Sequence, residues 1–481
     1  MSSKLAAVWG VLAVPLLLML SAGGALAADL LRYTVRFDPF EVELTLPSGA
    51  KEKRELPRQA TYFLHRANNR WPIPDGPAGR QVRCEVRWIG LPADWRLVTS
   101  FGIDRRVERF ETTLGRLRKA VFAAGDFRIA RSKRGMVLVT RGSWKLSDAE
   151  FLTLMDRIAE PHTALWRDRG VGGHRVFLLP SSKNWGGEGR TKGLVVEGSP
   201  DTFEQAAFAR LLSHELFHEW NPRRLHSADD ETLYWFTEGF TDYYAVASVW
   251  RSGLWSFEQV LEYSNEVARL YYTSPMRNLT PDRMVALRQS NTEANELPYR
   301  QGFLLAAHWN GNGSGKSLDL AMRNLMKDNG EPLSNSRITR ALRSIGIEKA
   351  EEEVQQFVVE GRTISLRPNL WGACAAETRK EFARFDMGFD VKESEKSKII
   401  HGVKQDSNAW RAGVRDGQKW TPRDVVWGDA SYLAGIDIED EQGKRRIQYY
   451  PASATTFSVP QYKANTARCD PWTLTPVSAP R

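Results

Sequence analysis

Residues 213–221 read Ser-His-Glu-Leu-Phe-His-Glu-Trp-Asn, and residues 235–244 read Trp-Phe-Thr-Glu-Gly-Phe-Thr-Asp-Tyr-Tyr. The first stretch contains an H-E-x-x-H motif, formed by His214, Glu215 and His218. Two histidines four residues apart on a helix point to the same side, so both imidazoles can bind one zinc ion. The glutamate between them stays free to act as a base. The motif therefore predicts a zinc site on a helix.

Local signals support helices at both stretches. A serine followed by proline at 199–200 is a typical helix start, and residues 203–220 then contain neither Gly nor Pro. A second helix is predicted over 231–250, with Gly253 ending it. The two predicted helices would present their polar side chains to one site.

The second helix supplies the candidate third ligand. A catalytic zinc takes three protein ligands and leaves one position for water, and Glu238 is the natural third ligand. Asp242 lies four residues later on the same face, where it can accept the free ring N–H of a ligating histidine. His226 is an alternative third ligand, but its spacing from His218 fits no zinc pattern and is typical of a loop histidine. The other alternative is that Glu238 and Asp242 merely face solvent, which the aromatic residues around Glu238 disfavour.

The two stretches together resemble the glycyl aminopeptidase family, a group of gluzincin zinc metallopeptidases. The resemblance rests on the Trp-Asn pair after His218 and on Glu-Gly-Phe-Thr-Asp-Tyr-Tyr at 238–244. It implies an N-terminal β domain, a thermolysin-like helical catalytic domain and a C-terminal PDZ domain. It also implies one Zn²⁺ per chain, with His214, His218 and Glu238 as ligands and Glu215 as general base.

The same resemblance gives a role to Tyr299. Gluzincins of this kind place a tyrosine in a Tyr-x-Lys-Gly helix start, and residues 299–302 read Tyr-Arg-Gln-Gly, with Gln301 in the lysine position. A phenol aimed at a developing oxyanion is a sensible electrostatic stabiliser. The resemblance thus implies Tyr299 as the oxyanion donor, and a tyrosine packed at a helix start is the alternative.

The Gly-rich stretch 185–194 concerns which part of a substrate is recognised. Related aminopeptidases hold the substrate's α-amino group with a glutamate in such a loop, upstream of the zinc helix. Aligned from its C-terminal end, the stretch puts Arg190 in the glutamate position, where a guanidinium would repel an ammonium group. Aligned from its first glycines, it leaves Glu188 one residue early. Both residues are substrate-binding candidates; we favour the first alignment, and exopeptidase and endopeptidase activity both stay open.

The first 27 residues have the pattern of a signal peptide. Lys4 gives a positive n-region, residues 5–20 are apolar, and residues 25–27 read Ala-Leu-Ala, a small-residue cleavage site. An uncleaved membrane anchor is the alternative, but the apolar run contains Pro15 and is shorter than the roughly 20 residues of a comfortable span. We therefore expect an exported, periplasmic protein with no integral membrane segment after cleavage.

Charge and loop patterns argue against nucleic-acid and nucleotide binding. The formal charge is +9, or +8 (9 − 1) after removal of Lys4, and the basic residues are scattered instead of forming a stripe. Nucleic-acid binding would need such a stripe together with a reader motif. Residues 313–317 resemble a phosphate loop, but Asn310 occupies the leading glycine position and a helix is predicted before it.

Three cysteines in an exported chain allow one disulfide and one leftover thiol. Cys84 lies on the apolar face of a strict alternation at 82–88, so we predict a buried thiol. Cys374 and Cys469 flank the last region of the chain. A disulfide between them would clamp that region at both ends.

The predicted fold class is a multidomain α+β protein. The predicted divisions are a signal peptide at 1–27, an N-terminal β-rich domain at 28–143, a gluzincin-type catalytic domain at 144–365 and a divergent PDZ-like β domain at 375–470. Period-two alternation marks the first domain, and a capping box at 147–150 opens the second. Alternating segments at 387–390 and 399–403 suggest the third, which could bind an extended peptide by strand addition.

These features predict an exported zinc-dependent metallopeptidase that hydrolyses the bonds of a peptide or protein substrate. A metal-activated water would attack the carbonyl, with Glu215 as general base. The alternative from another class is a catalytically silent, PDZ-containing peptide-binding scaffold that retains the zinc fold, and the intact Glu215 argues against it. Hydrolysis of a non-peptide bond is a third alternative that a zinc site alone does not exclude.

Overall fold

The computed structural model describes residues 28–481 in three successive parts: a β-rich part, a mixed sheet with helices, and a second β-rich part. The exceptions are residues 58, 60–61, 67–70, 169, 183–184, 226–230, 311–316, 329, 466–468, 471–474 and 477–481. The predicted signal peptide, His226 and most of the phosphate-loop-like stretch lie outside the described residues. The described part is a multidomain α+β fold, as predicted.

Two sheets form the N-terminal part. Their strands are β1 Asp29–Arg36, β2 Glu41–Thr45, β3 Lys51–Glu55, β4 Tyr62–Arg66, β5 Gln81–Ile89, β6 Arg96–Thr99, β7 Val107–Thr113 and β8 Val121–Gly125, with helix α1 at Leu114–Arg118. The first sheet has the order β3-β2-β1-β5-β7, in which β1 and β5 run parallel, and the second has the order β4-β8-β6. In β5 every second residue is buried, including Cys84, which explains its period-two pattern.

A five-stranded mixed sheet opens the central part. Its strands are β9 Arg128–Arg131, β10 Val137–Thr140, β11 Arg175–Pro180, β12 Gly186–Arg190 and β13 Gly193–Gly198. The order is β12-β13-β11-β10-β9; β10, β11 and β13 run parallel, and the two edge strands run antiparallel to their neighbours. Val139, Phe177 and Val195 pack on the second N-terminal sheet, whereas the opposite face packs on helices.

The predicted division at residue 143 falls inside this sheet. β9 and β10 precede it and β11 to β13 follow it, yet all five strands pair in one layer. Parallel strands need a crossover, and α2, at Asp148–Trp166, connects β10 to β11 in that way. Alternation in β9 and β10 indicates strands but cannot reveal which sheet they join, because their partners lie far along the chain.

Helices cover one face of the sheet and build the rest of the central part. They are α3 Gln205–Phe217, α4 Tyr234–Thr237, α5 Gly239–Arg251, α6 Phe257–Thr273, α7 Pro281–Leu287, α8 Thr292–Trp309, α9 Leu318–Lys327, α10 Asn335–Arg343 and α11 Ala350–Val354. The predicted capping box that opens α2 is confirmed: Ser147 Oγ accepts the Glu150 N–H at 3.3 Å, and Glu150 Oε2 accepts the Ser147 N–H at 2.7 Å.

The two predicted zinc helices are shorter and more interrupted than expected. α3 begins only at Gln205, because Phe203 keeps an extended backbone after a separate 3-10 turn and packs into the core. The helix predicted over 231–250 is broken at Glu238, which has φ −101° and ψ −48° between α4 and α5. Glu238 therefore projects from a joint between two helices.

The C-terminal part consists of antiparallel strands and two short helices. They are β14 Ala375–Phe385, α12 Val391–Ser397, α13 Asn408–Arg411, β15 Lys419–Asp424, β16 Ala434–Asp440, β17 Gly443–Tyr449, β18 Ala452–Ala464, β19 Cys469–Asp470 and β20 Thr475–Pro476. β14 pairs with β18, and β15, β16 and β17 form a second sheet. The alternating segments 387–390 and 399–403 form no continuous strand; their apolar residues fill a small core instead, and Ile399 makes one isolated bridge to Lys419.

The cysteines are only partly described. Cys84 is a free, buried thiol, as predicted. Cys374 is disulfide-bonded, but the side chain of Cys469 lies outside the described residues, so the Cys374–Cys469 bridge stays a prediction. Among the described residues, no helix combines the length and apolar character needed to cross a bilayer.

Candidate active site

Three side chains converge where α3 meets the joint between α4 and α5. His214 Nε2 and His218 Nε2 each lie 3.3 Å from Glu238 Oε2, and one ligand atom from each residue falls within a cluster 4.8 Å across. Two atoms bound to a tetrahedral zinc at about 2.0–2.1 Å lie about 3.3 Å from each other. The three candidate ligands therefore have the chemistry and the spacing that fit a zinc ion.

The backbone that follows α3 orients the ring of His218. His218 Nδ1 donates to Asn221 O at 2.9 Å, which leaves the lone pair on Nε2, the nitrogen that faces Glu238. The side chain of Asn221 donates through Nδ2 to Phe236 O at 3.1 Å and to Thr241 Oγ1 at 3.2 Å. Asn221 thus ties the end of α3 to both helices that flank Glu238.

Asp242 lies behind His214. Its Oδ1 is 3.6 Å from His214 Nδ1 and accepts an N–H of Arg210 at 2.6 Å, while its Oδ2 accepts the Tyr263 hydroxyl at 2.5 Å. The Arg210 guanidinium also covers the Tyr263 ring, 4.8 Å from its centroid. Arg210 and Tyr263 hold the carboxylate, and the carboxylate orients the His214 ring.

The charges around His214 favour a cation. Burial by itself would lower the pKa of His214, but the neighbouring carboxylates of Asp242 and Glu238 outweigh it and raise that pKa to about 10. Burial would likewise raise the pKa of Asp242, but Arg210 and His214 hold it below its ordinary value. Imidazole and carboxylate donors in such a field suit a divalent ion.

A close crossing of α5 and α8 places Tyr299 beside the candidate ligands. Gly239 faces Gly302, and a Cβ on either residue would collide with the opposing backbone, for Gly302 with Trp235 O. Glycine at both positions allows this approach. Gly239 directly follows Glu238, and Gly302 is one turn beyond Tyr299, so the crossing brings the carboxylate and the phenol together.

Tyr299 lies against the ring of His214. The two rings stack, with centroids 5.8 Å apart and planes 23° from parallel. Burial, followed by the charge of Glu238, raises the pKa of Tyr299 above its ordinary value, so the phenol stays protonated at neutral pH. Gln301, in the position of the family's lysine, donates to Phe357 O at 2.7 Å and is buried, so it supports α8 from inside.

Edge strand β12 passes along α3 beside Glu215. A Cβ on Gly187 would lie 2.9 Å from Glu215 Cγ and 3.0 Å from Leu211 Cδ1, and a Cβ on Gly189 would lie 3.3 Å from Glu215 Oε2. Glycines at these positions let the strand approach the carboxylate. In the described part of the chain β12 pairs with β13 only, so its outer edge is open. The stretch predicted as a Gly-rich loop is therefore a strand at the site.

The two candidate substrate-binding residues face away from Glu215. Successive residues of a strand point to opposite sides, and the two glycines take the side of α3. On the other side Glu188 Oε1 pairs with the Arg190 guanidinium, and Glu188 Oε2 lies 3.0 Å from Nε of Arg66, which comes from β4. Arg190 is buried. The structure therefore does not bring Glu188 or Arg190 into the metal-binding cluster.

Arg210, Asn221 and Tyr263 were not predicted from the sequence. For Arg210 a signal existed, because it precedes His214 by four residues, the same one-turn spacing that relates the two histidines. Tyr263 meets Asp242 from another helix and has no local signal. Asn221 belongs to the Trp-Asn pair that carries the family resemblance, but its contacts are made with two other helices, so the pair did not reveal its role. Their roles follow from tertiary packing.

Comparison with known protein families gives a match within the central part. Residues 207–301 match the family model of the M61 glycyl aminopeptidase. That stretch runs from the start of α3 into α8 and includes His214, His218, Glu238 and Tyr299. A comparison with curated protein sequences gives no match.

Comparison with solved structures gives matches at low sequence identity. An aminopeptidase N family protein from Idiomarina loihiensis has a TM-score of 0.60 and 15% identity, over 82% of this chain and 79% of that chain. Yeast LTA4 hydrolase has a TM-score of 0.47 and 13% identity, over 71% of this chain and 68% of that chain. An M1 zinc metallopeptidase from Deinococcus radiodurans has a TM-score of 0.43 and 13% identity, over 71% of this chain and 95% of that chain. The first likeness shows a common architecture, with an N-terminal β-rich part and a helical part.

Proposed function

We propose that this chain is an exported zinc metallopeptidase with Glu215 as general base, because residues 207–301 match the family model of the M61 glycyl aminopeptidase. The substrate is a peptide or a protein. One Zn²⁺ is held by His214, His218 and Glu238. The observation that carries this proposal is the 3.3 Å spacing of the two histidine nitrogens from one carboxylate oxygen, which suits a tetrahedral ion.

The open edge of β12 supports an extended substrate. A peptide can add to such an edge as one more strand and bond to its free backbone groups. The glycines of β12 leave no side chain between this edge and Glu215, so a peptide bond laid there would lie close to the carboxylate. The strand thus determines where the scissile bond lies.

Each polar group then has a chemical task. Zinc, when bound, supplies a Lewis acid that polarises the carbonyl and makes water more acidic. Glu215 takes a proton from the water and passes it to the leaving amine. The Tyr299 hydroxyl donates to the carbonyl oxygen as it gains negative charge. Asp242, held by Arg210, keeps the His214 ring in position.

The test is metal-dependent proteolysis. The purified mature protein should cleave an unfolded polypeptide, lose this activity on treatment with a chelator, and regain it with one equivalent of zinc. Release of new amino termini measures the reaction. Undiminished cleavage by metal-free protein would contradict the proposal. Hydrolysis of esters without cleavage of peptides would favour the non-peptide alternative.

Export and the disulfide belong to the same proposal. A signal peptide at 1–27 would deliver the chain to an oxidising compartment, where a Cys374–Cys469 bridge can persist. Mass spectrometry of the unreduced mature protein checks both features. It should find a chain that begins at residue 28 and is lighter by two hydrogens.

We further propose that residues 375–470 form a divergent PDZ-like domain. The support is a separate small core that includes Phe389, Ile400, Val414 and Ile436, with two short helices between antiparallel strands. Such a domain would take an extended peptide at a strand edge. The test measures the binding of unstructured peptides to the full chain. It compares the unaltered protein with a variant in which a substitution blocks the strand edge of residues 375–470.

A further inference from the structure

We infer that this peptidase does not need a free α-amino group on its substrate, because the acidic residue of its substrate-binding edge strand is neutralised by two arginines. The inference rests on the proposed function. It specifies the substrate class as peptide segments recognised through their backbone, including segments with a blocked amino terminus.

The neutralised residue is Glu188, and both of its carboxylate oxygens are occupied. Oε1 pairs with the Arg190 guanidinium, and Oε2 lies 3.0 Å from Arg66 Nε. Arg66 Nη2 lies 3.1 Å from Oε2 of Glu197, on the neighbouring strand β13. Two guanidiniums and two carboxylates give this cluster a net charge of zero. A substrate ammonium that approaches these four side chains therefore meets no uncompensated negative charge among them.

Burial of Arg190 commits Glu188 to this cluster. The Arg190 side chain is 3% exposed, and a buried guanidinium without a partner carries a large desolvation cost. If Glu188 turned towards a substrate ammonium, Arg190 would lose its partner inside the protein. Because Glu188 would first have to leave Arg190, it would gain little free energy by binding the ammonium.

Arg66 gives the N-terminal part a role at the site. It stands at the end of β4, and its guanidinium bridges Glu188 and Glu197 at the sheet edge. Removing Arg66 would leave one arginine for two carboxylates, a net charge of −1. Arg66 is one-third exposed, so its substitution is compatible with folding.

Other carboxylates, near the candidate zinc site, must also be considered as anchors for the substrate's α-amino group. Glu215 and Glu238 have roles in the chemistry, and Asp242 is held by an arginine and a tyrosine. Glu296, three residues before Tyr299, acts electrostatically on that phenol and so also lies near the cleft. Arg210 and Arg300 lie within electrostatic range of Glu296 and offset its charge. Glu296 is therefore the competing anchor that an experiment has to separate from Glu188.

The experiment compares kcat/KM for cleavage of one internal bond in the same peptide with a free and with an acetylated amino terminus. The ratio of kcat/KM for the free peptide to kcat/KM for the acetylated peptide should stay within about threefold of one in the wild-type protein. Glu188→Gln leaves the cluster with a net charge of +1, so it should not raise that ratio. Arg66→Gln should raise the ratio in favour of the free amine. Arg109→Gln is the matched control, because it removes an exposed arginine whose ion pair within the described part of the chain is with Glu85, and it should leave the ratio unchanged.

Two results would overturn the inference. One is a preference of about a hundredfold or more for the free amine that collapses in Glu188→Gln. The other is the same preference collapsing in Glu296→Gln, which would move the anchor to α8. Cleavage of neither peptide would instead contradict the proposed peptidase activity, and it is distinguishable because no ratio could then be measured.

Discussion

At the scale of single residues, the site depends on the groups that orient its side chains. His218 is oriented by the carbonyl of Asn221, and His214 by Asp242, which is itself held by Arg210. The spacing of the H-E-x-x-H motif made the two histidines predictable, because one turn of helix fixes their common direction. Asp242 was predicted in the same way, from its position one turn after Glu238, whereas the supporting roles of Asn221 and Arg210 were not, since their partners lie on other elements.

Tyr299→Phe removes the hydroxyl and keeps the ring that stacks on His214. We expect kcat to fall by about 10²- to 10³-fold with zinc content unchanged, because the loss concerns a donor used at the oxyanion. Steady-state kinetics and elemental analysis provide the measurement. The control is Tyr272→Phe, which removes a hydroxyl bonded to Ile364 O at 2.8 Å and should keep kcat. A Tyr299→Phe enzyme with normal kcat would rule out this role.

At the scale of elements, glycines decide how closely neighbours approach the site. Gly239 and Gly302 bring α5 against α8, and Gly187 and Gly189 bring β12 against α3. The resemblance to related aminopeptidases implied a Gly-rich loop at 185–194, but the stretch forms a strand. Glycine is depleted in strands, yet packing against Glu215 requires it there. The contact between β12 and Glu215 therefore outweighs the low preference of glycine for strands, and no local sequence pattern indicates such a contact.

Gly187→Ala tests the contact between β12 and the proposed base. The new Cβ would lie 2.9 Å from Glu215 Cγ, so either the carboxylate or the strand must move. We expect kcat/KM to fall by about 10- to 100-fold, as displacement of a catalytic group by about 1 Å costs on that order. Gly186→Ala is the matched control on the same strand, since no atom of the described residues lies within 4 Å of its added Cβ. Equal activity of the two variants would show that β12 does not constrain Glu215.

At the scale of the whole molecule, α6 connects the site to the C-terminal part. Its Tyr263 supports Asp242, while its Asn265 exchanges two hydrogen bonds of 2.8 Å with the backbone of Tyr462. Further along α6, Arg269 donates to Asp429 Oδ2 at 2.8 Å, and both side chains are only 10% exposed. The C-terminal part is therefore fixed to a helix that also supports the proposed metal ligands.

Long-range pairing also sets how much of the fold the sequence could predict. The α+β class and the order of the three parts followed from local periodicity and capping signals. The membership of β9 and β10 in the central sheet did not, and neither did the contact of Arg66 with Glu188, because both depend on strands distant in sequence. The alternating segments near residues 387–403 fill a core without pairing, so alternation there indicated burial instead of a strand.

Zinc content and turnover, measured on the same preparations of wild-type protein and Glu215→Gln, test the central claim most directly. The substitution removes the proposed base and leaves all three proposed ligands, so both proteins should bind about one zinc per chain while turnover falls by about 10²- to 10⁴-fold. Glu238→Gln is the control, because it removes a ligand and should lose the metal. A wild-type protein that binds no zinc, or a Glu215→Gln protein with normal turnover, would contradict the account.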